Sequence, residues 1–348
     1  MKTSPFIVFG IVLTSLFLNS CTTKLYTSLD VLRPAKVTFA PDIKKLMIVN
    51  NTVKQPSDYG HKTELLYEKV KNVTVTTDSL SIFCLASLTE ELNRKEFFSS
   101  LNLLPNSLNT SNDFFYVKYP AADTVKALCE RYHVDAILSL DRIKVTDKTT
   151  EYMNGGENIY LADLVVNYET QWSIHHPKEP KFSATTFRDT VFWESESPQR
   201  RKAMNGLPNR TNALIDGALY VGQNTTKRLI PFWEKVDRYF FSNENKYMKQ
   251  GIDSVYVKNW TSAIKSWENV LKKNFSNSNK AKAANNIAIA YEISGDIEKA
   301  IEYAELSLDY YGKSMSSDYE SFMMVSNYLE ELLQRKKEIL ILKKQLAE

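Results

Sequence analysis

The stretch Tyr160–Ile174, YLADLVVNYETQWSI, decides the architecture of the N-terminal part of the chain. One parity carries Tyr160, Ala162, Leu164, Val166, Tyr168, Thr170, Trp172 and Ile174. The other carries Leu161, Asp163, Val165, Asn167, Glu169, Gln171 and Ser173. Successive side chains on a strand point to opposite faces, so this is a strand with one apolar and one polar face. HHPKEP (175–180) turns the chain and KFSATTFRDTVFWE (181–194) returns it, which predicts an antiparallel hairpin. A similar alternation marks strands of membrane-inserted barrels. Only one such hairpin is apparent, and helices must cover some sheet face, so the expectation is a domain sheet.

Working outward, KVTFAPDIKKLMIVNNT (36–52) reads as strand, turn and strand. Asp78 or Ser79 can cap a helix that runs to Phe98, with Leu80, Cys84, Leu88 and Leu92 near one face. DFFYVKY (113–119) reads as a strand, Ala121–Tyr132 as a second amphipathic helix, and VDAILSLDRIKVTD (134–147) as a further strand. Asn209–Thr226 predicts a helix with a stripe of small residues, Ala213, Gly217, Ala218 and Gly222, that can lie close to a sheet. LIPFWEKVDRYFF (229–241) extends or restarts that helix, since Pro231 suits a first helical position. The fold expected for residues 36–241 is α+β, a mixed sheet with helices on one face.

The C-terminal part, 242–348, contains an internal repeat. KNWTSAIKSWENVL (258–271) aligns with GDIEKAIEYAELSL (295–308), so that Trp260 meets Ile297, Ala263 meets Ala300, Ile264 meets Ile301 and Leu271 meets Leu308. The second copy, with Ala288, Tyr291, Gly295, Asp296, Ala300 and Ala304, resembles the tetratricopeptide repeat. Lys258 and Asn259 stand where that pattern has Gly-Asp, and the offset exceeds the usual repeat by about three residues, which fit within Asn274–Lys280. The resemblance implies an all-α tetratricopeptide-like stack, closed by a Lys- and Glu-rich capping helix from Ser317 onward.

At the N-terminus, Lys2 precedes an uncharged apolar run from Phe6 to Leu18, the pattern of a secretory signal. Leu18, Ser20 and Cys21 resemble the lipobox of bacterial lipoproteins. That resemblance implies removal of residues 1–20, acylation of Cys21 and a polar tether over 21–35. Thr22 replaces the Asp that would retain such a protein in the inner membrane, and no acidic export tract follows. The expected location is the outer membrane, facing the periplasm. Of the three cysteines, Cys84 and Cys129 lie in helical stretches. That compartment permits a disulfide between them, and two buried free thiols are the simpler reading.

Net charge is +3 and the charges are interspersed, whereas nucleic-acid binders concentrate a basic face. Nucleic acid is therefore not expected as the partner. His175 and His176 are adjacent on a predicted strand and point to opposite faces, so no shared metal is expected. His61 reads as a loop residue. No phosphate-cradling loop, Gly-x-Ser-x-Gly or His-Glu-x-x-His occurs, so neither a cofactor nor an enzymatic activity is expected.

The whole layout, with Pro231, Trp233, Val236 and Arg238 closing the first domain, resembles a family of Bacteroidetes-type lipoproteins of unknown function. The order of elements in that domain also resembles the anticodon-binding-like fold of curli-secretion and penicillin-binding-protein-activator lipoproteins. A lipid-anchored adaptor that binds a protein or peptide through its repeats is the functional expectation; an oligomeric secretion or cell-wall-assembly factor is the alternative. Tetratricopeptide stacks bind on the face of their first helices, which here implies Lys282, Asn285 and Ile289. Met248 and Ile252 at the matching places of the first copy speak against a carboxylate clamp and for an apolar groove that includes Tyr256. The competing reading has these residues packed against the protein's own first domain.

Overall fold

The computed structural model describes residues 23–179, 181–314 and 318–346. Cys21 and the acylation expected there lie outside the described residues. The chain forms two compact units, one of residues 35–231 and one that joins the segment before Ala35 to the segment from Phe232 onward. The first strand, β1 (Thr23–Arg33), belongs to the second unit.

In the unit 35–231, β2 (Lys45–Asn50), β3 (His61–Glu64), β4 (Lys71–Asn72), β5 (Ser100–Leu104), β6 (Ala136–Asn154), β7 (Ile159–His175) and β8 (Ser183–Ser197) form one mixed sheet. One edge of β6 pairs in parallel with β2 and then β3; its other edge pairs antiparallel with β7, which pairs with β8. The expected 160–174 hairpin is therefore present, with its apolar parity inward: Leu164, Val166, Tyr168 and Trp172 lie in the main core. That core is covered by α1 (Leu80–Lys95) and α4 (Arg210–Leu229). The small residues of α4 are needed by contact: a Cβ on Gly222 would lie 2.2 Å from the Cys84 carbonyl oxygen, and one on Gly217 would lie 2.4 Å from the Tyr168 hydroxyl.

β2 is apolar from Leu46 to Val49 because both its faces are covered there. Leu46 and Ile48 point into the main core, while Met47 and Val49 meet Val125 and Cys129 of α2 (Ala122–Tyr132) on the other side. Helices therefore occupy both faces of the sheet, which corrects the one-face expectation. A short α3 (Arg200–Gly206) follows β8.

The pairing of β6 with β7 slips between Leu140 and Arg142, making Asp141 the extra residue of a β-bulge. Before it Ala136, Leu138 and Leu140 face the main core; after it Ile143 and Val145 do. One inserted residue exchanges the two faces, so the core-facing parity changes from even to odd; the run before it is continuous because Ile137 meets Val125 and Cys129 on the opposite face.

Two expected strands are absent. At 36–38, the Lys36 and Val37 amides both donate to the Arg228 carbonyl instead of entering a ladder. At 113–119, Phe114 and Phe115 collect with Tyr59 into an aromatic cluster within a loop. His61 lies in β3, not a loop, with its side chain fully buried against Asp147.

In the second unit, β1 pairs along its length with β9 (Phe232–Ser242) as a two-stranded antiparallel ribbon, from Thr23↔Ser242 to Arg33↔Phe232. Both strands correct the sequence reading, which made 21–35 a tether and 229–241 a helix. The domain edge accordingly falls at Pro231/Phe232 rather than after 241. Helices α5 (Lys246–Tyr256), α6 (Trp260–Lys272), α7 (Asn277–Ile293), α8 (Ile297–Gly312) and α9 (Tyr319–Leu346) complete the unit.

The internal repeat is visible in local geometry. Lys258 and Gly295 both take left-handed φ angles, +54° and +86°. The next residue caps the following helix in each copy: Asn259 accepts from Ser262 N at 3.0 Å and Asp296 from Lys299 N at 3.1 Å. Ala263 and Ala300 are both fully buried.

Candidate functional site

The inner side of α7 is occupied by the chain itself. Asn286 Oδ1 accepts from the Phe241 amide at 2.8 Å and its Nδ2 donates to the Phe241 carbonyl at 2.8 Å. One asparagine thus satisfies both main-chain groups of one residue in β9. Beside it, Phe240 stacks on Trp267 and Trp260 of α6 at ring separations of 5.5 and 6.3 Å.

Further along β9, Arg238 donates through Nε and Nη2 to the two Glu292 oxygens at 2.7 and 2.9 Å. Tyr328 donates to Glu292 at 2.9 Å, and Arg335 also bonds it. Burial alone would raise the Glu292 pKa, but Arg238, Arg335 and Tyr328 outweigh it and hold the carboxyl below its ordinary value. Burial would likewise lower the Arg238 pKa, and Glu292 foremost holds it above the usual one. The four side chains lock the ribbon to α7 and α9 as a fixed element.

Of the residues expected to bind a partner, Lys282, Asn285 and Ile289 are interior, at 7%, 0% and 1% exposure. Lys282 forms an ion pair with Asp318 at 3.0 Å and sits 5.8 Å from the centre of the Phe241 ring. Neither amide atom of Asn285 has a hydrogen-bond partner among the described residues. Tyr256, at 68% exposure, lies apart from them at the C-terminal end of α5. The structure therefore does not assemble these four into one surface. The residue that does grip a strand, Asn286, is the second of an Asn-Asn pair in an alanine-rich helix, and that pair was its only sequence signal.

Tyr256 borders a groove of about 410 Å³ lined by Leu25–Leu29 on one side and by Val255, Lys258, Trp260 and Ile293 on the other. Five consecutive residues of β1, of both parities, line it, so it follows the edge of the strand rather than one face. Among the described residues, β9 is the only strand paired with β1. An edge of unpaired main-chain groups beside apolar and aromatic walls is a template for another extended chain.

In the unit 35–231, the bulge residue Asp141 accepts from Asn51 at 2.9 Å, Ser139 at 2.7 Å and Ser173 at 2.5 Å. With its hydrogen given to Asp141, the Ser173 oxygen accepts from His175 Nε2 at 2.7 Å. Burial raises the Asp141 pKa despite these bonds and pushes His175 down to about 4. A hydrolytic triad needs the histidine between serine and acid; here the serine is in the middle and fully buried. The cluster satisfies the bulge instead of presenting a nucleophile. His61 and Arg210 close a second buried cluster on Asp147, with Arg210 Nε at 3.0 Å. Burial raises the thiols of Cys84 and Cys129 to about 12 and about 11, and both are free.

No group of three or more metal-ligating side chains occurs among the described residues, and none of their helices is long and apolar enough to cross a membrane. The chain belongs to the family described as "Domain of unknown function (DUF8603)", whose model matches residues 43–241. A second family model, "Domain of unknown function (DUF6340)", matches residues 249–334. Neither match includes β1. No curated protein matches. A solved structure titled "Crystal structure of uncharacterized protein" aligns at 10% identity over 54% of this chain and 93% of that one, with a TM-score of 0.25; a likeness at that score carries no argument.

Proposed function

We propose that this is a lipid-anchored, non-enzymatic protein of the cell envelope that binds an extended segment of a partner protein along the edge of β1. The observation that carries this reading is the groove beside Leu25–Leu29, open along an unpaired strand edge and walled by Tyr256 and Trp260. Main-chain pairing would provide affinity and the apolar walls selectivity. The helical pairs, tetratricopeptide-like in their caps and alanine contacts, act as the frame that holds β9 and hence β1; their inner side is already filled. Acylation of Cys21 keeps the molecule at the outer membrane.

A photo-crosslinking residue at Tyr256 tests this in intact cells. It should capture a defined partner that Leu25→Pro or Thr27→Pro, which alter the β1 backbone, no longer yields. The same crosslinker on Glu90, a surface position of α1, is the comparison. Equal capture from both positions would remove the groove as the binding place. Light scattering on detergent-extracted protein tests the alternative of an oligomeric assembly factor, for which a large closed ring is expected.

A further inference from the structure

One end of the helical unit gathers lysines and tyrosines around the start of β1. Thr23 pairs with Ser242, so β1 begins beside the turn into α5. Asn243 donates to Asn279 at 2.8 Å, bringing the start of α7 to the same place. Asn277 donates to the Lys313 carbonyl at 2.8 Å at the end of α8, and Lys24 reaches Glu320 in α9 at 2.6 Å.

Several lysines at this end are neutralised locally. Lys24, Lys249 and Lys282 bond Glu320, Glu244 and Asp318. Lys246, Lys273 and Lys280 have no carboxylate partner among the described residues. They meet tyrosines instead: Lys273 donates to the Tyr247 hydroxyl and lies 4.6 Å from the centre of that ring, Lys246 lies 5.0 Å from it, and Lys280 is 5.7 Å from the centre of the Tyr310 ring. Ammonium groups that have tyrosines rather than carboxylates as neighbours suit the boundary between water and lipid headgroups, where the rings settle at headgroup depth and the charges meet phosphate.

Chain length makes this end the one nearest a bilayer. Cys21 precedes Thr23 by two residues, and two residues span at most about 7 Å. The geometry points to an anionic phospholipid surface as the ligand of this end, met by Lys246, Lys273 and Lys280 together with Tyr247 and Tyr310. This rests on the proposed acylation of Cys21, which sets the end against the membrane; the lysine contact then fixes which way the groove faces.

The test uses the chain from Thr22 to Glu348, which lacks the acylated cysteine, in sedimentation with phosphatidylglycerol or phosphatidylcholine vesicles. Binding is expected to the anionic vesicles only, and to weaken as salt is raised. Replacing Lys246, Lys273 and Lys280 together by Gln should weaken it about a hundredfold, at about fivefold per lysine, while the triple Lys→Arg variant should retain it. Circular dichroism of each variant separates loss of contact from loss of fold. Equal binding to both vesicles, binding to neither, or no effect of the Gln variant would overturn the proposal. So would a polyglutamate peptide that binds this end as tightly as the vesicles do. Acylation of Cys21 is read separately, from the mass of the full chain extracted from membranes, so either reading can fail alone.

Discussion

Gly251 and Trp267 share one space between α5 and α6: a Cβ on Gly251 would lie 2.1 Å from the indole nitrogen. In the second copy of the repeat the matching positions are Ala288 and Ala304, both fully buried. A large residue against none in one pair thus replaces two small residues in the other. Gly251→Ala should destabilise by about 1–3 kcal/mol through overpacking, and Trp267→Ala by about 3–5 kcal/mol through a cavity. The double variant should lose less than the sum, since the clash disappears with the indole. Urea unfolding of the four proteins measures the coupling, and strict additivity would contradict the shared space.

Glu292→Gln should cost about 3 kcal/mol, because it removes the buried charge that Arg238 and Arg335 share and leaves Arg238 only the half-exposed Glu331 at 2.9 Å. The folded pKa of Glu292 lies below its unfolded value of about 4.3. Its contribution is therefore complete above that value and is lost as pH falls through the folded one. Denaturant midpoints between pH 7 and 3 should show an acid limb that is shallower in the Gln variant.

His175 carries the opposite kind of charge change. Its pKa is pushed down to about 4 by burial, against about 6.5 when unfolded, so it is neutral in the native protein. Its contribution is complete above pH 6.5 and is lost as pH falls towards 4, on the order of 3 kcal/mol in all. Asp141, joined to it through Ser173, has a raised pKa and favours its protonated form, so it works against this loss at the acid end. His175→Gln should flatten the limb between pH 6.5 and 4. Parallel losses in both proteins would place the pH dependence elsewhere.

Asn285 offers a stabilising change. Its amide is fully buried and unbonded among the described residues, and an unmet buried polar group costs about 1–3 kcal/mol. Asn285→Leu, close in shape, should raise the unfolding midpoint, while Asn286→Leu, which removes both bonds to Phe241, should lower it. A loss of stability in Asn285→Leu would reveal a partner for that amide.

Local pattern made the β7–β8 hairpin, α1, α2, α4 and the internal repeat legible, because each is set by neighbours in sequence. What escaped depends on distant residues. β9 carries Glu234 and Arg238 on the same parity as Val236 and Phe240, which hides its alternation; Arg238 can face inward only because Glu292 waits there. β1 does alternate, with Leu25, Thr27, Leu29 and Val31 on one parity, but its partner lies beyond the whole α/β unit. The site residues failed for the same reason. The face of α7 that the tetratricopeptide resemblance marks for a partner is occupied by β9, whose own pattern was obscure, and Lys282, Asn285 and Ile289 are buried.

Arg33 and Phe232 are cross-strand partners at the end of the ribbon. The chain therefore departs for residues 35–231 and comes back at a single point, as though a hairpin turn had been opened and a cassette spliced into it. Joining Arg33 to Phe232 through an Asn-Gly turn would restore an ordinary hairpin and leave the host's pairings intact. Lengthening the cassette adds only loop-closure entropy, which grows slowly with length. The α/β unit can thus be enlarged, exchanged or excised in evolution or by design while the host unit keeps its fold.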